Sequence, residues 1–298
     1  MRTLAVLVSI VSGLWAAPAQ AQDARLAAPV DCLTNSGCGR GLRSVYGLDV
    51  QSAFTPLTVA DAGVEALDNG VAEVAVAFSS NPQLSRPDIV TLRDDKRMGY
   101  ADRVVPVVRR PTLRTYGADL RRRLNAASSV LTTFALRGLN QAVIDGRLPE
   151  AVGGEFAEAN GLTGEARKRH GPRIEVGYMA FAENETLAHL YGEVLRSGGY
   201  RVRVRAVGGL RPQAVRALRR GTIDLYPAYD GSLLRYLVGT APERLRAGLK
   251  KTLARIGAEP MKLSSAQDSN VFVMKSDAAT RLGVAKLSDL SRYWPAAA

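Results

Sequence analysis

The fold is decided by a pattern that occurs twice in the chain, as Val64-Glu-Ala-Leu-Asp-Asn-Gly-Val-Ala-Glu-Val-Ala-Val-Ala-Phe78 and as Val215-Arg-Ala-Leu-Arg-Arg-Gly-Thr-Ile-Asp-Leu-Tyr-Pro-Ala-Tyr229. In each copy, apolar residues three apart predict a helix. The helix ends at a glycine, Gly70 or Gly221, which suits the left-handed turn after a helix C-terminus. A short apolar run then predicts a buried strand of a largely parallel sheet. Each copy is therefore half of a βαβ unit, and the fold class is α/β.

The aromatic residue that closes each copy indicates a binding cleft. Phe78 and Tyr229 stand just past the carboxyl ends of their predicted strands, which is where ligands of open α/β sheets bind. If the two copies belong to facing lobes, the rings line one cleft from opposite sides. The alternative is that each ring is a core residue of its own sheet.

Further predicted elements complete two lobes around these copies. Strands are expected at 104–108, 173–177 and 200–207, and helices at 113–127, 130–143 and 185–197. A stretch rich in glycine and charge, 161–172, predicts a surface linker.

The N-terminus has the features of a secretion signal. It begins Met1-Arg2-Thr3, continues with an apolar run from Leu4 to Trp15 and reaches Ala19-Gln20-Ala21, a small-x-small cleavage pattern. We expect residues 1–21 to be removed and the mature chain to be exported to the periplasm. The apolar run is too short to span a bilayer. No cysteine directly follows the cleavage pattern, so a lipid anchor is not expected.

The two cysteines of the chain, Cys32 and Cys38, predict a local disulfide. An exported chain meets an oxidising compartment, in which such a bond persists. A redox-active pair is the weaker alternative, because the spacing is not Cys-x-x-Cys.

Charge and histidine content bear on the classes of function. The formal net charge of +12 invites a nucleic-acid hypothesis, but the basic residues are spread over predicted helix surfaces and no nucleic-acid motif accompanies them. We interpret them as a solvated basic surface. The only histidines, His170 and His189, exclude a histidine-rich metal site. With no nucleophile–base pair evident, neither an enzyme nor a cofactor is expected.

Several motifs, in order along the chain, carry a family resemblance. They are Gly41-Leu-Arg-Ser-Val-Tyr-Gly-Leu48, Ala77-Phe-Ser-Ser80, Asp94-Asp-Lys96, Val104-Val-Pro-Val-Val-Arg109, Gly177-Tyr-Met-Ala-Phe-Ala-Glu-Asn184 and Ile223-Asp-Leu-Tyr-Pro-Ala-Tyr-Asp-Gly-Ser232. Together they resemble the glycine betaine, choline and proline-betaine substrate-binding proteins of ABC transporters. The resemblance implies a two-lobe periplasmic binding protein of the type II kind, with the ligand in the cleft between the lobes.

The order of these motifs differs from that of the family, in which the Ile-Asp-Leu-Tyr-Pro lobe comes first. We interpret the difference as a circular permutation, which is tolerated because only surface backbone is cut. On this hypothesis residues 22–110 form the family's second lobe. Residues 111–298 form its first lobe, including helices within 113–160 and the linker 161–172.

The resemblance implies an aromatic cage for a quaternary ammonium. Such a cation has no N–H to donate and is recognised by desolvated aromatic faces. Carried over by position, the cage has Tyr229 and Phe272 from one lobe and Phe78 and Asp102 from the other. Asp102 stands where the family has a ring, so it is either a direct counter-ion or a rim residue without ligand contact.

The family's cationic clamp for a ligand carboxylate is altered in this chain. Its lysine aligns with Met179 and its arginine with Asn35, and neither replacement is charged. A betaine carboxylate would rely on polar groups such as Asn184, Ser232, Asn35 and backbone N–H donors, a weaker arrangement than a charge-assisted pair. Choline is therefore at least as plausible a ligand as glycine betaine.

The resulting functional hypothesis is a monomeric, periplasmic component of an ABC importer. It would capture a quaternary-ammonium compound, with osmoprotectant uptake as the expected role, and deliver it to a permease driven by an ATPase. The alternative is a sensor or interaction protein that uses the same cleft for another small cationic ligand.

Overall fold

Two five-stranded mixed sheets form the frame of the molecule. The computed structural model describes residues 24–58, 62–164, 168–239 and 245–297, so the predicted signal peptide lies outside the described residues. The strands are β1 (Leu26–Pro29), β2 (Phe54–Leu57), β3 (Val74–Phe78), β4 (Ile89–Thr91), β5 (Val104–Arg109), β6 (Ile174–Tyr178), β7 (Val202–Ala206), β8 (Leu225–Tyr229), β9 (Ala258–Pro260) and β10 (Asn270–Lys275).

Ten α-helices are assigned within the described residues. They are α1 (Gly39–Gly41), α2 (Gly63–Asp68), α3 (Arg110–Val130), α4 (Thr133–Ile144), α5 (Pro149–Ala159), α6 (Ala182–Ser197), α7 (Arg211–Arg220), α8 (Asp230–Val238), α9 (Leu245–Arg255) and α10 (Ser276–Leu282). None of them is both long and apolar enough to cross a membrane. Helix α3 is interrupted at Gly117, whose φ of 63° is not helical.

The first lobe is built on the sheet β2-β1-β3-β10-β4. Strand β1 pairs in parallel with β2 and β3, whereas β10 runs antiparallel to β3 and β4. The sheet is covered by two apolar clusters, one of which contains Trp294 near the C-terminus. The Trp294 indole N–H donates to the carbonyl of Ala24 at 2.6 Å, which ties the two ends of the described chain together.

The second lobe is built on the sheet β7-β6-β8-β5-β9. Strand β6 pairs in parallel with β7 and β8, and β5 runs antiparallel to β8 and β9. One apolar cluster fills this lobe, with the fully buried Leu187, Tyr191 and Tyr226 among its members.

The repeated sequence pattern occupies equivalent places in the two sheets. Strands β3 and β8 are the central strands, and each follows its predicted helix, α2 or α7. Gly70 and Gly221 both have positive φ, 64° and 73°, as the left-handed turn requires. The prediction of a two-lobe α/β fold from this repeat is confirmed.

The boundary between the lobes differs from the predicted division into 22–110 and 111–298. Strand β5, before that boundary, belongs to the second sheet, and β10, far beyond it, pairs with β3 of the first sheet. Each sheet thus takes one antiparallel strand from a distant part of the chain, a pairing that hydrophobic periodicity does not reveal. The chain crosses between the lobes twice, near Asp102 and near Asp268, and the Asp268 N–H donates to the Asp102 carbonyl at 2.9 Å. We call residues 102–103 and 267–269 the hinge.

Candidate functional site: a cleft between the lobes

A cavity of about 380 Å³ lies between the two lobes. Its walls are the carboxyl ends of β3 and β8, the loops after β1 and β6, the start of α7 and the hinge. The predicted disulfide is present, with an S–S distance of 2.09 Å between Cys32 and Cys38, and the short loop that it closes forms part of the wall. The cleft is therefore at the edge where ligands of open α/β sheets bind.

Four aromatic side chains line this cavity, two from each lobe. Phe78 and Tyr100 come from the first lobe, and Phe181 and Tyr229 come from the second. The structure thus places both rings that close the sequence repeat on one cavity. Phe181 and Tyr229 are stacked, with ring centroids 6.4 Å apart and planes 25° apart. Tyr229 is only 3% exposed, whereas Phe181 is 39% exposed.

The Tyr229 ring is held from behind by a hydrogen-bonded chain. Its hydroxyl donates to the Glu183 carboxylate at 2.5 Å, and the Asn140 amide donates to the other oxygen of Glu183 at 2.6 Å. Burial, reinforced by the Glu183 charge, raises the pKa of Tyr229 well above its ordinary value. The phenol therefore stays neutral and acts as a donor, which fixes the ring at the end of β8.

Tyr100 reaches the second lobe from a turn in the first. The Asp94 carboxylate accepts hydrogen bonds from the backbone N–H groups of Met98 and Gly99, which shapes this turn. The Arg235 guanidinium lies 3.9 Å from the centre of the Tyr100 ring. At Gly231 a Cβ atom would come within 2.5 Å of Cδ2 of Tyr100, so the ring packs directly against the first turn of α8.

Tyr100 was not predicted from the sequence. The family resemblance put Asp102 in the place of a ring, and the aromatic residue two positions earlier, in Met98-Gly-Tyr-Ala-Asp102, is the signal that would have found it. Phe181 was also missed, although it lies inside one of the motifs that carry the resemblance.

Asp102 is part of the cavity wall and belongs to the hinge. It is 8% exposed. One carboxylate oxygen accepts the backbone N–H of Ser232 in the first turn of α8 at 2.9 Å. Burial raises the pKa of Asp102 to about 6, and the hydrogen bonds from Ser232 oppose this rise. Near neutral pH the carboxylate is mainly ionised and places a negative charge at the cavity.

The cavity wall carries charges of both signs. Asp31 and Asp268 line it in addition to Asp102, and neither was predicted. Arg211, also not predicted, is the only lysine or arginine among the described lining residues. Its guanidinium donates to the Ser232 hydroxyl at 2.7 Å.

Three of the predicted polar or clamp positions do line the cavity: Asn35, Met179 and Ser232. The Asn35 side-chain oxygen accepts the N–H of Gly37 at 2.9 Å, which shapes the disulfide-closed loop. Met179 is 4% exposed at the end of β6. The two positions at which the resemblance predicts the family's cations are therefore at the cavity, and both are uncharged here.

Two predicted site residues are not part of the cavity. Phe272 lies on β10 in the first lobe rather than beside Tyr229 in the second, and its side chain is 3% exposed within the first-lobe core. Strand β10 carries it there because its backbone pairs with Val76 of β3.

Asn184 is the second residue that was predicted for the site and does not line the cavity. Its side chain is completely buried, accepts the Met179 N–H at 2.8 Å and donates to the Pro227 carbonyl at 2.9 Å. It holds the loop after β6 against β8, so its contribution to the cavity is to position Met179.

The described residues contain no group of three or more histidine, cysteine or acidic side chains that could hold a metal ion. His189 lies on α6, away from the cavity wall, 3.8 Å from Glu150 and 4.0 Å from Glu185. Burial lowers the pKa of His189, which favours a neutral imidazole. His170 lies in the segment before β6 and does not line the cavity either.

Comparison with solved structures returns matches of low similarity. YhfZ from Shigella flexneri is 15% identical, with 91% of this chain and 93% of that chain covered and a TM-score of 0.40. The periplasmic aliphatic sulphonate binding protein SsuA from Escherichia coli is 12% identical over 90% and 69% of the two chains, with a TM-score of 0.38. The GluR0 ligand binding core in complex with L-glutamate is 9% identical over 92% and 99%, with a TM-score of 0.41.

Comparison with protein families is more specific. No curated protein matches the sequence of the chain. A family model does match, the substrate binding domain of the ABC-type glycine betaine transport system, over residues 17–159 and 172–297. The unmatched break, residues 160–171, overlaps the predicted linker except for one residue at each end, and the two matched segments include every cavity residue described above. The chain belongs to the family of substrate-binding domains of ABC-type glycine betaine transport systems.

Proposed function

We propose that this chain is the periplasmic component of an ABC importer that captures a quaternary-ammonium compound of the glycine betaine or choline kind. It would deliver that ligand, as a monomer, to a permease driven by an ATPase. The observation that carries the proposal is the combination of four aromatic rings, supplied by both lobes, with three carboxylates around one cavity.

The chemistry of these groups suits a trimethylammonium head. Its positive charge is shielded by methyl groups, so it cannot use hydrogen-bond acceptors as an ammonium or guanidinium does. An aromatic face attracts such a cation through its quadrupole, by about 0.5–2 kcal/mol per ring, with the larger values where the ring is desolvated. The nearly buried Tyr229 belongs at the upper end of this range. The carboxylates add a longer-range attraction that a neutral ligand does not feel.

The arrangement of the rings also supports a role in capture. Because the rings come from both lobes, a ligand among them would bridge the lobes. Two hydrogen bonds already join α4 of the second lobe to the loop after β3, from Arg137 to the Ser79 carbonyl at 2.8 Å and from Asn140 to the Ser80 carbonyl at 3.1 Å. Asn140 also holds Glu183, the partner of the Tyr229 hydroxyl. The Asn140 side chain thus connects the position of the Tyr229 ring to the contact between the two lobes.

The decisive experiment is isothermal calorimetry on the purified mature protein. Choline and glycine betaine should be compared with the neutral carbon isostere of choline, in which a carbon atom replaces the nitrogen. The isostere keeps the shape and removes the charge, so loss of two cation–π contacts, about 1 kcal/mol or more in total, should weaken its binding at least about five-fold. Equal affinity for choline and its isostere, or no binding of either quaternary ammonium compound, would contradict the proposal.

A further inference from the structure

One cation in the cavity is not explained by the family resemblance. Arg211 is the first residue of α7, and it lines the cavity together with Gly209 and Leu210. No ion pair within 4.0 Å joins its guanidinium to a carboxylate of the described residues, although its charge is near enough to Asp102 to oppose the rise in the pKa of that carboxyl. Its side-chain hydrogen bond goes instead to the neutral hydroxyl of Ser232.

We propose that Arg211 binds the anionic group of the ligand and is thereby the residue that decides between zwitterionic and purely cationic quaternary-ammonium compounds. This inference rests on the proposed function. It assigns to Arg211 a role that the resemblance places at two other positions, Met179 and Asn35, both of which are uncharged in this chain.

The location of Arg211 favours an anion for two independent reasons. Its guanidinium presents several N–H donors in a planar fork, and this geometry matches a carboxylate. In addition, Arg211 is the first residue of the ten-residue helix α7 and lines the cavity with the two residues before it, and the N-terminal end of a helix carries a partial positive charge. The side chain and the helix end therefore act in the same direction.

Ser232 keeps the two kinds of charge in the wall apart. Its hydroxyl accepts from Arg211 at 2.7 Å, while its backbone N–H donates to the Asp102 carboxylate at 2.9 Å. The guanidinium and the carboxylate are both oriented by the same residue without forming a direct ion pair. Each remains able to interact with a ligand group of the opposite sign.

This separation has a consequence for selectivity. A zwitterion gains from Arg211 through its carboxylate and from the rings and Asp102 through its quaternary nitrogen. A purely cationic ligand gains only from the rings and Asp102, and it is repelled by Arg211. The loss of the family's two cations therefore does not abolish preference for a carboxylate, because a third position has taken over that charge.

The test is to measure dissociation constants of glycine betaine and choline by calorimetry, at one salt concentration, for the wild type and three variants. Arg211→Gln should weaken glycine betaine roughly ten- to a hundred-fold, the loss expected for a charge-assisted hydrogen bond, and should leave choline unchanged or tighter. Arg211→Lys keeps the charge without the fork and should give an intermediate ratio. Arg216→Gln, an exposed change of the same charge on the same helix, is the matched control and should alter neither constant by more than about two-fold.

The outcomes distinguish failure of the inference alone from failure of the proposed function. Equal weakening of both ligands by Arg211→Gln would mean that Arg211 only ties α7 to α8 through Ser232, and the inference would be wrong. A flat ratio across all variants, with choline still bound, would have the same meaning while leaving the proposed function intact. Failure of the wild type to bind either compound would overturn both. Should Arg211→Gln be too unstable to purify, the ratio in Arg211→Lys decides.

Discussion

Removing the Tyr229 ring should separate the cation–π contribution from every other role of this residue. Two variants are needed, because the hydroxyl and the ring do different things. Tyr229→Phe keeps the ring and loses the hydrogen bond to Glu183. Tyr229→Leu loses both, while an apolar side chain still fills much of the space. The difference in choline affinity between the two variants therefore isolates the ring.

The expected magnitude follows from burial. The Tyr229 ring is 3% exposed, so its contact with a cation is nearly free of solvent screening and worth about 1–2 kcal/mol. Tyr229→Leu should therefore bind choline about five- to thirty-fold more weakly than Tyr229→Phe. Tyr229→Phe should bind within about three-fold of the wild type. The free energy of unfolding of Tyr229→Phe should be about 1–3 kcal/mol below that of the wild type, because the buried Glu183 carboxylate loses a hydrogen-bond donor.

Calorimetry with choline and its neutral carbon isostere gives the readout, and thermal unfolding checks that each variant is folded. A gradient with exposure is also expected: Phe181→Leu, at a ring that is 39% exposed, should weaken choline by less than about five-fold. If Tyr229→Leu weakens choline and the neutral isostere equally, the ring contributes shape rather than charge recognition. In that case the reasoning from the quadrupole is wrong.

Three further predictions follow from the described geometry. Gly231→Ala should lower choline affinity several-fold, because a Cβ atom 2.5 Å from the Tyr100 ring displaces that ring. Calorimetry measures the effect, and unchanged affinity would place Tyr100 outside the site. Because Asp102 has a pKa of about 6 against 3.8 for an unperturbed aspartate, choline affinity should fall as pH is lowered through about 6, where the carboxylate becomes neutral. The contribution of Asp102 to the stability of the ligand-free protein should have the opposite trend. It should decrease as pH rises from about 4 to 6, since the folded state holds the proton more tightly than the unfolded state. Asp102→Asn should flatten the pH profiles of both choline affinity and stability. Reduction of the purified protein should add the mass of two hydrogens as the Cys32–Cys38 bond opens, and free thiols in protein recovered from the periplasm would contradict it.

Local patterns in the sequence were enough to determine the building blocks of this protein. Apolar residues three apart, followed by glycine and a short apolar run, specify a helix, a left-handed turn and a buried strand through interactions between near neighbours. The repeat of that pattern therefore predicted two sheets, and it put Phe78 and Tyr229 at strand ends. The family motifs added Asp102, Asn35, Met179 and Ser232, all of which line the cavity. The order of the lobes relative to the family stays a prediction.

Only the tertiary structure decided which residues meet across long separations in the chain. Strand β10 joins the first sheet through antiparallel pairing with β3, and this pairing turns Phe272 into the core instead of the cleft. Tyr100 becomes a cavity residue because its turn packs on Gly231 in the other lobe. Arg211 becomes the cation of the cavity because the N-terminus of α7 lies beside α8, where the Arg211 guanidinium donates to the Ser232 hydroxyl. Contacts of this kind depend on packing between distant segments, and no local periodicity records them.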